Sequence, residues 1–138
     1  MRAFAVYPRG FFYRAEIATA RITGAADLAE VSLGPDRRDE AGRVEAWRAA
    51  GRLLRRAFAA GVVHADLNLR NLLISGPAGA VTAHLLDLDG GRILARQSLR
   101  HVHAMLQRLH RSRLKLEARY GQAVDAQALA AFEDALDG

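Results

Sequence analysis

Two apolar segments in the middle of the chain are each interrupted by polar residues that could act as bases or as metal ligands. These residues are His64, Asp66 and Asn71 in the first segment, and Asp87 and Asp89 in the second. A carboxylate can orient a hydroxyl group and accept its proton while a new bond forms. Carboxylate and amide oxygens are the hard ligands that Mg²⁺ prefers. The two segments therefore predict proton abstraction beside a divalent cation.

The spacing of these residues is more specific than their types. His-x-Asp-Leu-x-x-x-Asn occupies residues 64–71, and an apolar pair followed by Asp87 comes about one hairpin's length later. This order is the catalytic-loop layout of kinases that move a phosphoryl group from ATP. Either half alone would fit ordinary turn residues or the end of a strand equally well. Both halves, in this order, favour the catalytic interpretation.

The elements before these segments are predicted from hydrophobic pattern and turn residues. Aromatic and β-branched residues over 11–23 predict one or two strands that end at Gly24, with a hairpin turn at Gly10. Residues 25–31 then predict a short helix, and residues 34–36 a loop.

The clearest helix is predicted over residues 39–60. Val44, Trp47, Leu54 and Phe58 recur on one face at helical spacing, and Gly61 suits the C-terminal end. The rest of the helix carries Arg43, Arg48, Arg52, Arg55 and Arg56. We expect a solvated basic face rather than a nucleic-acid-binding one, because interleaved aromatic residues are missing.

The elements after the first polar segment are predicted as a hairpin and two helices. Strands over 72–74 and 81–86 flank a turn at 75–79, and a long helix is predicted over 98–120. The apolar stripe of this helix is Leu99, Val102, Leu106 and Leu109. His101, His103 and His110 lack the spacing of a metal site and are expected at the surface or the core edge. Asp125 is expected to cap a last helix with Leu129, Phe132 and Leu136 inside.

Composition restricts the class of protein. A chain of 138 residues, 51% hydrophobic and 25% charged, is typical of one soluble globular domain. The absence of cysteine excludes a disulfide framework, a thiolate nucleophile and a cysteine-ligated metal. No apolar run approaches the roughly 18 residues that span a bilayer, and residues 1–8 lack a signal peptide's apolar stretch. These features predict a cytosolic protein, and the net charge of +5 favours an anionic partner.

The chain resembles the bacterial lipopolysaccharide core kinases, and within them the 3-deoxy-D-manno-octulosonic acid (Kdo) kinases. The resemblance rests on the amino-acid sequences of four segments. These are residues 64–68, residues 87–89 with Asp-Leu-Asp in place of Asp-Phe-Gly, residues 12–17 with 21–25, and residues 106–112. No Ala-Pro-Glu follows the second acidic segment, which argues against a peptide substrate.

The resemblance implies an α+β, protein-kinase-like fold. We expect mainly the helical C-terminal lobe, preceded by the last strands of a truncated N-terminal lobe. Residues 1–138 would form a single kinase-like domain, with the N-lobe end and hinge strands at 1–23 and the C-lobe at 24–138. The only lysine is Lys115, so the N-lobe lysine that holds the ATP phosphates in kinases has no counterpart before the catalytic loop.

The resemblance also implies roles for individual residues. Asp66 would be the catalytic base, with His64 as the anchor of its loop. Asn71 and Asp87 would be the Mg²⁺ ligands. The hinge residues Arg21, Ile22 and Thr23 would contact the nucleotide. Asn68, which stands where protein kinases carry a lysine, would contact it as well.

The function implied is an ATP-dependent, Mg²⁺-requiring phosphotransferase of lipopolysaccharide core biosynthesis. It would phosphorylate a sugar hydroxyl of Kdo in the lipid A–inner core precursor, a lipid-linked acceptor. We expect a peripheral protein at the cytoplasmic face of the bacterial inner membrane, in contact with anionic lipid and with no nucleic-acid partner. A heptose or other small-molecule kinase, and a non-catalytic kinase remnant that acts as a binding module, are the alternatives.

Overall fold

The structure of the chain is a computed structural model that describes residues 3–18, 21–35, 37–95 and 98–138. Helices and small antiparallel sheets alternate in it, so the predicted α+β class is confirmed. The strands are β1 (Ala3–Arg9), β2 (Phe12–Ala18), β3 (Ala26–Asp27), β4 (Val62–Val63), β5 (Leu72–Ser75), β6 (Thr82–Leu85) and β7 (Arg92–Ile93). The helices are α1 (Leu28–Leu33), α2 (Glu40–Ala59), α3 (Leu99–Tyr120) and α4 (Ala126–Asp137), with a 3₁₀ turn at Leu69–Asn71.

The N-terminal hairpin turns where the sequence predicted it, at Gly10. Arg9 pairs with Phe12, and Gly10 has a φ of +62°, which suits glycine at the first position of a two-residue turn. The predicted strand bounds of 11–23 were wrong. The first strand already begins at Ala3, and residues 21–24 are not in a strand; residues 19–20 lie outside the described part.

The helix predicted over 25–31 is displaced in the structure. Ala26 and Asp27 instead form β3, which pairs with Ile74 and Leu73 of β5. The Asp27 side chain accepts a hydrogen bond of 2.8 Å from the backbone N–H of Glu30, so the helix begins only after this cap. The sheet order β3–β5–β6 thus ties the start of the helical part to the predicted catalytic hairpin.

The core lies between α1, α2 and α4 around Trp47. This side chain is 2% exposed and contacts Phe132 of α4 edge to face, with ring centroids 5.6 Å apart. Its indole N–H donates to Ser32 Oγ at 2.9 Å. A Cβ at Gly51 would lie 2.5 Å from the Phe132 carbonyl oxygen, so glycine allows α2 and α4 to approach closely. The predicted helix over 39–60 is confirmed, with Asp39 as its cap.

Two predictions about side chains at the edge of this core were wrong. Arg43, predicted on the solvated face of α2, is 8% exposed and pairs with Asp125 through Nε–Oδ2 at 2.5 Å and Nη2–Oδ1 at 3.0 Å. Asp125 stands at the N-cap of α4 but makes no capping hydrogen bond. Its carboxylate is committed to Arg43, and this hydrogen-bonded guanidinium holds the pKa of Asp125 below its ordinary value.

The buried face of α3 also differs from the predicted stripe. Leu99 is 88% exposed, whereas Met105, Leu109 and Leu116 are buried. The hydrogen bonds that tie α3 to the loop after β4 involve Met105 and Ser112, so its first turn precedes this contact. Across the described ranges, none of the helices combines the length and apolarity needed to cross a membrane.

Candidate active site

The loop that carries the predicted base is fixed at its start by the joint between α2 and β4. Gly61 has a φ of +76°, and its carbonyl accepts a 2.9 Å hydrogen bond from the N–H of Leu94, beside β7. A Cβ on Gly61 would lie 2.1 Å from the Leu94 carbonyl oxygen. Only glycine therefore fits here, and the pairing of β4 with β7 fixes the start of the loop.

His64 connects this loop to the second acidic segment. Its side chain is buried, Nε2–H donates to the Leu86 carbonyl at 2.8 Å, and Nδ1 accepts from the N–H of Asp66 at 3.1 Å. Its own backbone N–H contacts Met105 Sδ at 3.2 Å. Because both ring nitrogens are engaged in backbone contacts, these bonds support the anchoring role predicted for His64 rather than proton transfer to a substrate.

Two asparagines contact Asp66: Asn68 bonds both its exposed carboxylate and its backbone carbonyl, and Asn71 bonds the carbonyl alone. Asn68 Nδ2 donates to Asp66 Oδ2 at 3.0 Å, and the Asp66 carbonyl accepts from Asn68 Nδ2 at 3.1 Å and from Asn71 Nδ2 at 2.9 Å. Asn68 Oδ1 accepts the N–H groups of Arg70 and Asn71 at 2.9 and 3.2 Å. Both ends of the Asn68 amide are thus used inside the loop. Its assignment to the nucleotide stays a prediction.

Asn71 and Asp87 are brought to the same end of the β5–β6 hairpin. The N–H of Leu86 donates to the Asn71 carbonyl at 2.9 Å, which places Asp87 one residue beyond that bond. Since Asn71 uses its Nδ2 on Asp66, its Oδ1 remains available as a ligand. Asp87 has a φ of +55°, the one positive value at a non-glycine position in the described ranges. Such backbone strain often occurs at functional sites.

The available oxygen atoms fit Mg²⁺ better than a transition metal. Mg²⁺ is commonly held by one or two side-chain oxygens together with substrate phosphates and water, and Asn71 and Asp87 supply that number. Within the part of the chain that the structure describes, no group of three or more His, Cys, Asp and Glu side chains could hold a metal. The helix histidines lie apart from this site: His101 bonds Ser98, His110 bonds Arg113, and His103 is exposed.

The predicted hinge residues occupy an exposed coil. Arg21, Ile22 and Thr23 follow β2 and precede β3, and all three side chains are exposed. Their contact with a nucleotide stays a prediction.

A groove beside Asp66 was missed by the sequence analysis. It has a volume of about 480 Å³ and lies between the loop and α3. Its cationic lining residues are Arg70, Arg108, Arg111, Lys115 and Arg119. The signal was present in the sequence, since four of these residues recur at offsets of 0, 3, 7 and 11 along α3 and so share one helix face.

Comparison with known proteins identifies similar sequences and a similar fold. The profile of the lipopolysaccharide kinase (Kdo/WaaP) family matches residues 2–131. A 3-deoxy-D-manno-octulosonic acid kinase of Xanthomonas oryzae pv. oryzae (strain PXO99A) is 38% identical over 117 residues, 84% of this chain and 43% of the relative. The same-named protein of Stenotrophomonas maltophilia (strain K279a) is 39% identical over 107 residues, 78% of this chain and 39% of the relative.

The chain thus spans about two fifths of the length of these curated relatives. Among solved structures, WaaP in complex with acyl carrier protein superimposes with a TM-score of 0.69 at 17% identity. That similarity covers 97% of this chain and 56% of the WaaP chain. At this identity the likeness concerns the fold, and it confirms the predicted protein-kinase-like fold.

Proposed function

Because the chain belongs to the lipopolysaccharide kinase (Kdo/WaaP) family, we propose that it takes part in phosphoryl transfer from ATP to a hydroxyl of Kdo. The acceptor would be the Kdo-bearing lipid A–inner core precursor, since the curated relatives are named as Kdo kinases. One observation carries the proposal. The exposed Asp66 carboxylate is oriented by Asn68, the Asp66 carbonyl accepts a bond from Asn71, and the Leu86–Asn71 bond brings Asp87 alongside.

In the proposed reaction, Asp66 acts on the acceptor hydroxyl. Its free oxygen receives the hydroxyl proton as the acceptor oxygen forms a bond to the γ-phosphorus and the bond from that phosphorus to the ADP oxygen breaks. Asn68 holds the other carboxylate oxygen, so the side chain is positioned before the acceptor arrives. Such preorganisation avoids an ordering cost during the reaction.

Asn71 Oδ1 and the Asp87 carboxylate are the groups that would hold Mg²⁺. When bound, the cation neutralises charge on the transferring phosphate. The chain's part is to hold the two oxygens in place. The Asn71 side chain is fixed by its bond to the Asp66 carbonyl, and the Asp87 backbone by the preceding Leu86 bonds to Asn71 and His64. The ligand set is thereby coupled to the base.

We assign the adenine-binding position to the exposed segment 21–23. The strands before this segment would be the end of an N-lobe, and residues 24–138 would be the C-lobe. Peptide groups in such a connecting segment can donate to and accept from an adenine ring. Thr23→Pro tests this directly, because it removes the backbone N–H of residue 23 as a hydrogen-bond donor. It should weaken ATP binding, whereas the side-chain change Thr23→Ser should leave binding unchanged.

A lipid-linked acceptor would place the protein at the cytoplasmic face of the inner membrane. Basic side chains close to an anionic bilayer gain on the order of 1 kcal/mol each. We therefore expect the protein to float with phosphatidylglycerol vesicles at low salt and to be released as salt screens the attraction. Flotation that is equal with neutral and anionic vesicles would contradict this location.

A panel of acceptors tests the proposed function. Transfer of labelled phosphate from ATP is measured to the Kdo–lipid A precursor, to a heptose-bearing core oligosaccharide and to an aminoglycoside. Preferred labelling of the Kdo acceptor is the expected result. Preference for the heptose acceptor would reassign the protein to a heptose kinase. Absence of both transfer and Mg²⁺–ATP binding would instead favour a non-catalytic binding module.

A further inference from the structure

The groove beside Asp66 concentrates positive charge next to the predicted base. One carboxylate, that of Asp66, and five cationic side chains line a volume of about 480 Å³. The cations are Arg70 from the 3₁₀ turn and Arg108, Arg111, Lys115 and Arg119 from α3. Like charges so close together repel one another, so this arrangement favours a bound anion.

Among the described residues, the five cations have no carboxylate partner. Other arginines of the same fold are paired: Arg43 with Asp125, and Arg113 with Glu117 at 2.7 Å. The contrast is greatest on α3 itself, where Arg113 is neutralised while Arg111 and Lys115 on the groove face are not.

The groove rests on buried residues of the core and on a bond between the loop and α3. Its apolar lining is Leu67 and Leu116, both buried. The N–H of Leu69 donates to Ser112 Oγ at 3.3 Å, which fixes α3 against the loop that carries Asp66. An anion held by the α3 cations would therefore be held at a defined position relative to the base.

The groove is separate from the predicted metal ligands. Asp66 and Asn68 line it, whereas Asn71 and Asp87 do not. Nucleotide phosphates belong beside the metal ligands, so an anion in the groove would be a different group that still lies next to Asp66. An acidic group of the acceptor fits this position, because the acceptor hydroxyl must also reach Asp66.

We propose that this groove binds an anionic group of the acceptor, a carboxylate or a phosphate, and so directs the acceptor hydroxyl to Asp66. The inference rests on the proposed function and adds to it a specificity determinant: the acceptor is acidic close to the hydroxyl that reacts. Guanidinium groups suit both anions, because their forked N–H donors match two oxygens at once. In the proposed acceptor the source is the Kdo carboxylate or a lipid A phosphate.

The test uses the double variant Arg111→Gln/Lys115→Gln and a control with the same charge change, Arg55→Gln/Arg56→Gln, on the exposed part of α2. For the groove variant, loss of two charge-assisted contacts should raise the acceptor KM about 10- to 100-fold, with the KM for ATP unchanged. The control should keep both constants. An acceptor KM that is equal in the two variants would overturn the proposal.

Two modified acceptors identify the source of the anion. If the groove holds the Kdo carboxylate, its methyl ester should already have a raised KM, and the groove substitutions should raise it little further. If the groove holds a lipid A phosphate, a dephosphorylated acceptor should instead have the raised KM, and the groove substitutions should raise that KM little further. Full sensitivity of both modified acceptors to the groove substitutions would overturn the proposal.

Calorimetry separates failure of the groove from failure of the proposed function. The acceptor should bind the unchanged protein and the control alike, and bind the groove variant about 10- to 100-fold more weakly. That pattern without any transfer would reject the kinase function and retain the anion site. Equal binding by all three proteins would reject the anion site, whatever the transfer rate.

Discussion

Replacing His64 by phenylalanine tests whether one buried side chain couples the base to the metal ligands. The two rings have similar shape, so the core contacts largely remain. The substitution removes Nδ1, which accepts from the N–H of Asp66 at 3.1 Å, and Nε2–H, which donates to the Leu86 carbonyl at 2.8 Å. The contact of the backbone N–H with Met105 does not depend on the ring.

The expected cost follows from these two bonds. Each lost hydrogen bond leaves a backbone group without its partner. A buried polar group without a partner lowers the free energy of unfolding by about 1–3 kcal/mol. Asp66 and Leu86 are both partly open to solvent, so water can compensate part of this and values near the low end apply. We predict that His64→Phe lowers the free energy of unfolding by about 2 kcal/mol and slows phosphoryl transfer at least tenfold, because the base is displaced.

Urea unfolding monitored by circular dichroism measures the first quantity, and initial rates measure the second. The control is His84→Phe, which removes a single 2.8 Å side-chain bond to Ser75 on the outer part of the hairpin. It should cost less than about 1 kcal/mol, since water can replace that partner. Equal losses for the two variants, or an unchanged rate in His64→Phe, would refute the coupling.

Further predictions concern the core and the loop. Gly51→Ala gains about 1 kcal/mol of helix propensity but places Cβ 2.5 Å from a backbone carbonyl of α4. Overpacking of this kind costs about 1–3 kcal/mol, so urea unfolding should show a net loss. Arg43→Met should lower the free energy of unfolding by about 3 kcal/mol, because it leaves the Asp125 carboxylate without its partner; a loss below 1 kcal/mol would contradict the pairing. The pKa of Asp125 is lowered in the folded state, so the ionised carboxylate stabilises the fold at neutral pH, and this stabilisation is lost as pH falls below the ordinary value of 3.8. Asp125→Asn should weaken the dependence of the free energy of unfolding on acid pH, measured by urea unfolding at a series of pH values. Asn68→Ala should slow phosphoryl transfer, because it removes the hydrogen bond that orients the Asp66 carboxylate. An unchanged transfer rate would show that this hydrogen bond is dispensable.

The parts of the fold that could be predicted are those with a strong local signal. Helix α2 was predicted within a residue because the Trp47 face repeats at helical spacing and Asp39 provides a cap. The β5–β6 hairpin was predicted from its apolar runs and its glycine turn. The proximity of Asp66, Asn71 and Asp87 was expected from their spacing, whereas the roles assigned to them stay predictions.

The remaining features depend on contacts distant in sequence. Arg43 was expected in solvent, and its pairing with Asp125, 82 residues away, was not visible in the local pattern. Leu99 fits the apolar spacing of α3, but the tethers of that helix to the loop begin at Met105. The groove required α3 to be placed against the base, which no local pattern specifies.

The most direct measurement is the rate of labelled phosphate transfer from ATP to the Kdo acceptor in Asp66→Asn, compared with Asp89→Asn. Both changes remove one exposed carboxylate near the site, and circular dichroism is used to check that each variant folds. Asp66→Asn should lower the rate by a factor on the order of 100 or more, while Asp89→Asn leaves it within about threefold. Transfer that persists unchanged in Asp66→Asn would contradict the assignment of Asp66 as the base.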